Sequence, residues 1–205
     1  MESNRLEAFS DGVLAIIITV MVLELKGPAG PRLSDLWHTS GPSLLTYLLS
    51  FVYIGIYWNN HHHLFHIAKR VTGSVMWANL HLLFWLSLYP FTTSWMDDTR
   101  LARTPTVVYG VNLLAAAIAY YVLQLTILRQ PESGETLRAV LGSDVKGKLS
   151  PVLYLVGIGL AFVQPWLGLI PYALVALMWL VPDRRVERYV RATSAAGPGR
   201  RGLGD

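Results

Sequence analysis

The sequence predicts an all-α protein that crosses a membrane with six helices. Of its 205 residues, 53% are hydrophobic and only 15% are charged, whereas about 25% charged residues are usual in soluble domains. Several apolar runs approach the roughly 20 residues that a helix needs to cross a hydrocarbon core about 30 Å thick. These runs follow one another along the chain, separated by short polar loops. A soluble domain of this size would not bury five or six such segments in a row.

The breakers between the apolar runs set the expected helix boundaries. A Gly- and Pro-rich loop containing Pro28 and Pro31 ends the first helix, because proline cannot continue a helix interior. The last apolar block is too long for one span, and Pro165 divides it into a hairpin of two short helices. The expected helices are 6–25, 43–66, 74–95, 106–128, 149–163 and 166–181. Residues 1–182 then form one transmembrane domain, followed by a basic tail over 183–205 that we expect to be partly disordered.

The distribution of basic residues predicts the orientation of the chain. With six spans, 13 of the 17 Lys and Arg residues lie on the side of the two termini and four lie on the other side. Basic loops stay in the cytosol, so we expect both termini to be cytosolic in a multi-pass cell-membrane protein. The first helix lacks the features of a cleaved signal peptide and is expected to be retained. The basic residues flank apolar runs, which favours the lipid bilayer over nucleic acid as the partner.

The first helix carries a stripe that could line a pore. At 100° per residue, one side of it holds Arg5, Phe9, Ile16, Thr19, Val20 and Leu23. Two interpretations stay open, because periodicity alone does not separate a pore wall from ordinary packing. The hydroxyl of Thr19 could likewise simply bond to the backbone one turn back. At the far end, Glu24 could attract cations, although pairing with Lys26 or Arg32 is the favoured interpretation.

Polar residues on the first three helices are expected to meet near the cytosolic end. Asp11 lies about 140° from the stripe, and the histidines at 61–63, with Asn79 and His81, lie at a similar depth. A buried carboxylate needs hydrogen-bond partners, so we predict a network that joins Asp11 to residues such as His62, Asn79 and His81. A structural network is favoured, and a proton relay is the alternative.

Enzymatic and metal chemistry have little support in the sequence. Cysteine is absent, which excludes disulfides and thiolate ligands. His62 and His66 lie one helical turn apart, but a zinc site needs further ligands, so we assign no metal, no cofactor and no catalytic residue. Neither inverted repeats nor broken helices, which are typical of secondary transporters, occur in the first four helices.

Three motifs resemble those of one membrane protein family. The run Arg5-Leu-Glu-Ala-Phe9-Ser10-Asp11 resembles the R-x-x-x-F-S-D signature of the endosomal/lysosomal potassium channel family (transmembrane protein 175 family). The segment YWNNHHHLF is similar to the family's YW-x-x-HH-x-LF, and NLHLLFWLSLYPF to its N-L-x-x-L-F-x-x-S-L-x-P-F. The motifs occur in the expected order and cover about half the chain, whereas the last three helices match only in hydropathy.

The resemblance implies a potassium channel without the T-V-G-Y-G filter, a run that is also absent here. Four chains with one six-helix repeat each, as in prokaryotic members, would surround one pore in a bacterial plasma membrane. Ile16 would form the main constriction, Thr19 a hydroxyl layer, and Val20 and Leu23 further apolar layers. Such a pore would prefer potassium to sodium modestly. The alternative function is a proton-linked or metal transporter that uses the Asp/His network.

Overall fold

A computed structural model describes residues 3–28, 30–68, 70–130 and 145–181 of the chain. These residues form helices and loops without a strand, which confirms the predicted all-α class. The helices are α1 (Ser3–Leu23), α2 (Leu33–Ile67), α3 (Gly73–Ser87), α4 (Tyr89–Asp98), α5 (Arg103–Leu128), α6 (Val145–Val163) and α7 (Pro165–Leu180). By length and composition, α1, α2, α5 and α6 could each cross a membrane, and α7 is a shorter apolar helix. The tail predicted over 183–205 lies outside the described residues.

Helix α2 begins at Leu33, ten residues before the predicted start at residue 43. The predicted helix began just after Pro42, but Pro42 lies inside the helix. A carboxylate oxygen of Asp35 accepts a hydrogen bond from the backbone nitrogen of Arg32 at 3.1 Å and so supports the early start. With 35 residues, α2 is about 50 Å long at 1.5 Å per residue. It is therefore longer than the hydrocarbon core.

The helix predicted over 74–95 is two segments, α3 and α4, joined at Leu88. Leu88 keeps right-handed helical angles (φ −84°, ψ −6°), so the chain bends there without reversing. Pro90 explains the interruption, because its ring removes one backbone donor and crowds the carbonyl four residues earlier. Since α3 and α4 follow one path, the described residues form six helical rods.

Helix α5 forms the centre of the bundle and packs against α3, α4, α6 and α7. Its fully buried side chains recur every three or four residues, at Tyr109, Leu113, Ala116, Ala119, Leu123 and Ile127. This spacing puts them on one face of the helix. The neighbouring helices contribute a cluster of buried tyrosines, whose rings meet edge to face or tilted.

Helices α6 and α7 form a tightly packed hairpin. A Cβ atom placed on Gly168 would lie 2.8 Å from both the Cβ of Ala161 and the carbonyl oxygen of Gly157. Only the absence of a side chain at Gly168 permits this approach, because the opposing atoms are backbone or directly attached to it. Small residues at such crossings are typical of helix pairs in membranes.

Candidate functional site

Helix α1 packs one face against α2, α3 and α4 and leaves the other face open. The packed face buries Leu6, Ser10, Leu14, Ile17 and Met21. The open face holds the residues of the predicted stripe: Ile16 is 63% exposed, Leu23 is 80% exposed, and Phe9, Thr19 and Val20 are also exposed. An apolar helix face uncovered in a single chain must meet lipid, another protein or a pore.

Thr19 is the hydroxyl residue within this apolar face. Its Oγ1 donates a hydrogen bond of 2.8 Å to the carbonyl oxygen of Ile16. The backbone bond expected for a lone threonine is therefore present. Because the proton is committed to that carbonyl, the hydroxyl oxygen offers its lone pairs as acceptors toward the open side. Lone pairs of this kind suit a cation better than an anion.

The packed face of α1 is held by a directional chain of hydrogen bonds. Ser10 Oγ donates to the carbonyl oxygen of Leu6 at 2.8 Å, and Asn79 Nδ2 donates to Ser10 Oγ at 2.9 Å. The Oδ1 of Asn79 lies 2.7 Å from Nε2 of His61. Asn79 Oδ1 can only accept, so His61 must carry its proton on Nε2. Ser10, Asn79 and His61 are all buried and together link α1, α3 and α2.

Asp11, His62 and His81, which were also predicted in this network, make no hydrogen bond to Ser10, Asn79 or His61 among the described contacts. Within the described residues, Oδ1 of Asp11 is buried without a hydrogen-bond partner. His62 is exposed, and its Nδ1 donates to the Glu7 carboxylate at 2.6 Å. His81 is also exposed and accepts a local hydrogen bond from Trp85 Nε1 at 2.9 Å. The structure thus brings Ser10 and Asn79 together with His61, whereas His62 and His81 bond to Glu7 and Trp85 instead.

The remaining polar candidates lie at the surface of the chain. Arg5 is exposed at the N-terminal end of α1, on the same side as Phe9. The rings of His62 and His66 stack with centroids 6.4 Å apart. Among the described residues, no three His, Asp or Glu side chains gather closely enough to hold a metal ion. Within the described histidine run, His61 contacts Asn79 and His62 contacts Glu7.

At the C-terminal end of α1, carboxylates and hydroxyls face the end of α4. The Glu24 carboxylate accepts a hydrogen bond from Ser94 Oγ at 3.1 Å. Lys26 pairs with Asp98 at 2.5 Å, and this hydrogen bond raises the pKa of the Lys26 ammonium above its ordinary value. Glu24 makes no contact ion pair with Lys26 or Arg32 in the described part of the chain, but its charge lies close enough to Lys26 to contribute to the raised pKa of that ammonium.

The same end of α1 borders an open cleft, which we call the α1/α4 cleft. It has a volume of about 670 Å³ and lies between α1 and the rod formed by α3 and α4. Ile16 and Val20 contribute to its apolar floor, Phe91 and Trp95 form a wall, and Glu24 lies at one end. The cleft therefore adjoins two residues of the predicted pore-lining stripe.

Comparison with known proteins places these features in a family. The model of the family described as endosomal/lysosomal potassium channel TMEM175 matches residues 5–90. A potassium channel of Chryseobacterium sp. (strain P1-3) is 49% identical over 191 residues, which cover 93% of this chain and 99% of that protein. The chain belongs to the TMEM175 family. A potassium channel of Streptomyces collinus is 34% identical over 87% of this chain and 91% of its own length.

A solved structure of the TMEM175 family has the same fold. The crystal structure of a lysosomal potassium-selective channel TMEM175 homolog from Chamaesiphon minutus matches with a TM-score of 0.73 and 29% identity. The match covers 87% of this chain and 96% of that one. The family consists of channels and not of enzymes, in agreement with the sequence prediction. All of the site residues predicted from the sequence lie within the matched residues 5–90.

Sequence reasoning missed two features of the structure. Glu7 was not singled out, although it follows Arg5 in the signature and pairs with His62. The buried hydroxyl cluster was also missed: Ser50 Oγ lies 2.7 Å from Thr93 Oγ1 and 3.0 Å from Tyr109 Oη. Serine and threonine residues within apolar runs indicate such a cluster. Their partners cannot be assigned, however, without knowledge of which helices are adjacent.

Proposed function

We propose that this protein is a homotetrameric cation channel that conducts potassium in preference to sodium. Two relatives that match nearly their full length are named potassium channels. A single copy of α1 cannot enclose a pore, so several copies are required. Four copies, each contributing α1 to a central axis, are what the family resemblance implies.

The observation that carries the proposal is the contrast between the two faces of α1. One face is fixed to the bundle through Ser10, Asn79 and His61, whereas the other leaves Ile16 and Leu23 uncovered. A lipid-facing helix would need no such polar anchoring, whereas a pore-lining helix must hold its angle to the axis. The combination of an anchored face and an open apolar face therefore supports the proposal that α1 lines a pore.

Ile16 is the proposed constriction. Four isoleucine side chains meeting near the axis would expel water, and a dry apolar ring blocks ions because they cannot keep their hydration there. A slight rotation or splaying of the four α1 helices would readmit water. Val20 and Leu23 would extend the apolar path beyond Ile16, and Phe9 and Arg5 would lie near the cytosolic mouth.

Thr19 is the proposed contributor to selectivity. Potassium gives up its hydration more easily than sodium, so a narrow apolar path favours potassium. Four Thr19 hydroxyl oxygens, each with its proton directed to the Ile16 carbonyl, would replace part of the lost hydration. In this mechanism, selectivity arises only from the difference between the dehydration costs of potassium and sodium. We therefore expect modest selectivity.

The proposed location is the plasma membrane of a bacterium, with both termini in the cytosol. The excess of Lys and Arg on the side of the termini supports this orientation. Residues 1–182 would form the channel domain, and the tail over 183–205 would extend from it into the cytosol. In this arrangement the Ser10–Asn79–His61 chain lies near the cytosolic side.

The alternative of proton-linked or metal transport has less support. It needs Asp11 and the histidines to act as one cluster, but Asp11 Oδ1 has no hydrogen-bond partner among the described residues. His62 pairs with Glu7 and not with Asp11. Compared with transport, the channel proposal accounts for both the hydrogen bonds that anchor α1 and its open apolar face.

The decisive experiment is a reversal-potential measurement in a planar bilayer, with potassium on one side and sodium on the other. Purified tetramer should give a current that reverses near the potassium equilibrium potential. A current that reverses at zero would retain the pore but refute the selectivity assigned to Ile16 and Thr19. No current from protein of verified tetrameric mass, over a range of voltages and pH values, would count against the channel.

A further inference from the structure

A second pocket opens between α2, α5, α6 and α7, and we call it the α5/α6 pocket. It has a volume of about 50 Å³, and one water molecule needs roughly 10–15 Å³ of such a volume. The pocket therefore admits a group of a few non-hydrogen atoms and not a whole drug-sized molecule. Polar or aromatic side chains make up most of its lining, among them Tyr57, Asn60, Tyr121, Gln124 and Ser150.

The pocket lies on the far side of α2 from α1. None of its lining residues belongs to α1. On α2, Asn60 lines the pocket, whereas His62 contacts Glu7 of α1. At 100° per residue, these two positions of α2 point about 160° apart. The pocket is therefore remote from the open face of α1, which would surround the axis of the proposed tetramer.

The pocket lies close to the ends of three helices. Gln124 is four residues before the last residue of α5. Ser150 is five residues after the first residue of α6, and Trp179 is the penultimate residue of α7. Four or five residues correspond to about 6–8 Å along a helix, which puts the pocket where lipid headgroups meet the hydrocarbon core. Tryptophan and tyrosine are enriched at this level of the membrane.

Hydrogen bonds fix the wall of the pocket that α6 and α7 form. Ser150 Oγ donates to the carbonyl oxygen of Lys146 at 2.7 Å and accepts from Trp179 Nε1 at 2.8 Å. The Lys146 ammonium lies 5.9 Å from the centroid of the Trp179 ring and donates to the carbonyl oxygen of Val181 at 2.6 Å. An ammonium has three donors. In the described structure, Lys146 therefore keeps two donors for a further acceptor beside the pocket.

Gln124 contributes an amide without a partner. The residue is only 6% exposed, and its side chain makes no hydrogen bond within the described residues. Neither amide atom is among the unpaired atoms that are sealed in the core, so both reach the pocket that Gln124 lines. Leaving an amide unpaired at this depth is costly. Since the amide both donates and accepts, a hydroxyl group is a suitable partner.

We propose that the α5/α6 pocket binds an anionic phospholipid whose headgroup carries hydroxyl groups, such as phosphatidylglycerol. A headgroup hydroxyl would enter the pocket and bond to the amide of Gln124. The phosphate would lie at the mouth beside the ammonium of Lys146, and the acyl chains would pass the exposed ring of Tyr121. No carboxylate of the described residues lines the pocket, which favours an anion over a cation.

Native mass spectrometry of the purified oligomer measures this binding without requiring conduction. The protein is titrated with phosphatidylglycerol and, separately, with phosphatidylcholine that carries the same acyl chains but no headgroup hydroxyl. We expect phosphatidylglycerol to bind about five- to tenfold more tightly, because it gains both the hydroxyl and the phosphate contacts. Glycerol 3-phosphate is the soluble source of the same chemistry and should not bind in that range, since it lacks acyl chains.

Variants locate the bound headgroup. Q124L and K146Q should each reduce the preference for phosphatidylglycerol about two- to fivefold, because each removes one polar contact. K148Q is the matched control, since Lys148 is exposed on the same helix but points about 160° away from the pocket residue Ser150. Its preference should equal that of the unsubstituted protein. K146R keeps the charge and should keep the preference, which separates loss of charge from loss of the contact with Val181.

Four results would overturn the proposal. Equal binding of the two lipids would show that the pocket does not recognise the headgroup. Equal losses in K146Q and K148Q would assign the preference to general charge attraction at the membrane surface. A preference that Q124L leaves unchanged would mean that the pocket holds water and the headgroup stays outside. Binding of glycerol 3-phosphate as tight as that of the lipid would make the free ester the ligand.

The outcome is independent of the proposed function. Preferential binding of phosphatidylglycerol to a protein that carries no current would sustain this inference while refuting the channel. Potassium current from a protein that binds both lipids equally would do the reverse.

Discussion

The two faces of α1 differ in burial, even at neighbouring residues. Ile17 is 4% exposed and packs inside the bundle, whereas the adjacent Ile16 is 63% exposed. Around Ile17 the helix is held by specific hydrogen bonds from Ser10 and Asn79, whereas around Ile16 it offers only aliphatic surface and one hydroxyl. The same residue type therefore stabilises the fold on one face and is available for function on the other. Position relative to the anchored face, and not hydrophobicity, separates the two roles.

The largest expected effect on folding comes from removing the hydrogen bonds that anchor α1 to α2 and α3. In Asn79→Ala, the His61 Nε2–H and Ser10 Oγ lose their partners inside the bundle, where an unpaired polar group is costly. We expect a loss of about 1–3 kcal/mol of stability, at the lower end if neighbouring groups rearrange as they often do in membrane bundles. Thermal unfolding of the purified protein in a mild detergent measures this loss.

Asn112→Ala is the matched control for that variant. Asn112 is also buried, but its Nδ2 makes one long hydrogen bond of 3.4 Å to Thr92, and its Oδ1 has no partner in the described structure. Its removal should cost clearly less than the removal of Asn79. Equal losses for the two variants would show that the Ser10–Asn79–His61 chain has no special anchoring role.

The open face is tested by placing the same polar side chain at adjacent positions. Ile16→Asn should raise the potassium current about tenfold or more, because lowering a dewetting barrier by about 1.4 kcal/mol is sufficient. Ile17→Asn should instead reduce the yield of folded protein without a gain in current, since it buries an amide among apolar groups. Single-channel recording and size-exclusion chromatography give the two readouts.

An exposed isoleucine on another helix controls for general effects of asparagine. Ile118 on α5 is 49% exposed and lies outside the proposed pore. Current through Ile118→Asn should equal that of the unsubstituted protein. A comparable gain in both variants would remove Ile16 from the gate.

A smaller effect is expected from Thr19→Val, which removes the hydroxyl and keeps the shape. The potassium-to-sodium permeability ratio should fall about two- to threefold, corresponding to a weak polar contact of about 0.5 kcal/mol. Thr126→Val on α5 is the control, because its Oγ1 makes the same type of backbone bond, 2.7 Å to Leu123. A permeability ratio unchanged in Thr19→Val would refute a role of this hydroxyl in selectivity.

The smallest effect is expected at the exposed pair of Lys26 and Asp98. Asp98→Asn should lower the thermal midpoint only slightly, and less in high salt, because exposed ion pairs are screened. The pKa of Lys26 is raised from 10.5, so the stabilisation is fully present below that value and is lost as the pH rises through the higher value in the folded state. From neutral pH upward, the difference between the two proteins should therefore be constant and shrink in strong alkali, where Lys26 loses its proton. A difference that instead shrank at neutral pH would assign the stabilisation to another group.

The sequence predicted those features that depend on local pattern. Apolar runs predicted the all-α class, and the 100° periodicity placed Ile16, Thr19 and Leu23 on the side of α1 that the structure leaves open. The positions of these residues follow from helix geometry alone, once the helix is recognised. Their role in a pore stays a prediction.

The predictions were wrong where tertiary contacts determine a helix boundary or a side-chain partner. The second helix was predicted to begin after Pro42, but α2 runs through that proline, since the rest of a long helix can compensate for one missing donor. Asp11 was expected to bond with the histidines, but depth along the helix does not determine rotation toward a neighbour. Glu24 pairs with a hydroxyl of α4, a partner 70 residues away that local charge spacing could not indicate.

The short length of α7 has a consequence for the surrounding bilayer. Its 16 residues span about 24 Å, and Trp166 and Trp179, near its ends, are only about 20 Å apart along the axis. A hydrocarbon core of about 30 Å is thicker than α7 is long, so we expect the bilayer to thin locally around α7, at a cost of a fraction of a kcal/mol per Å. Tilting α7 cannot relieve this mismatch, because a tilted helix spans less of the bilayer thickness. We therefore expect the energetic cost of this mismatch to depend on the acyl-chain length of the lipid. Bilayers of shorter-chain lipids should match the length of α7 better.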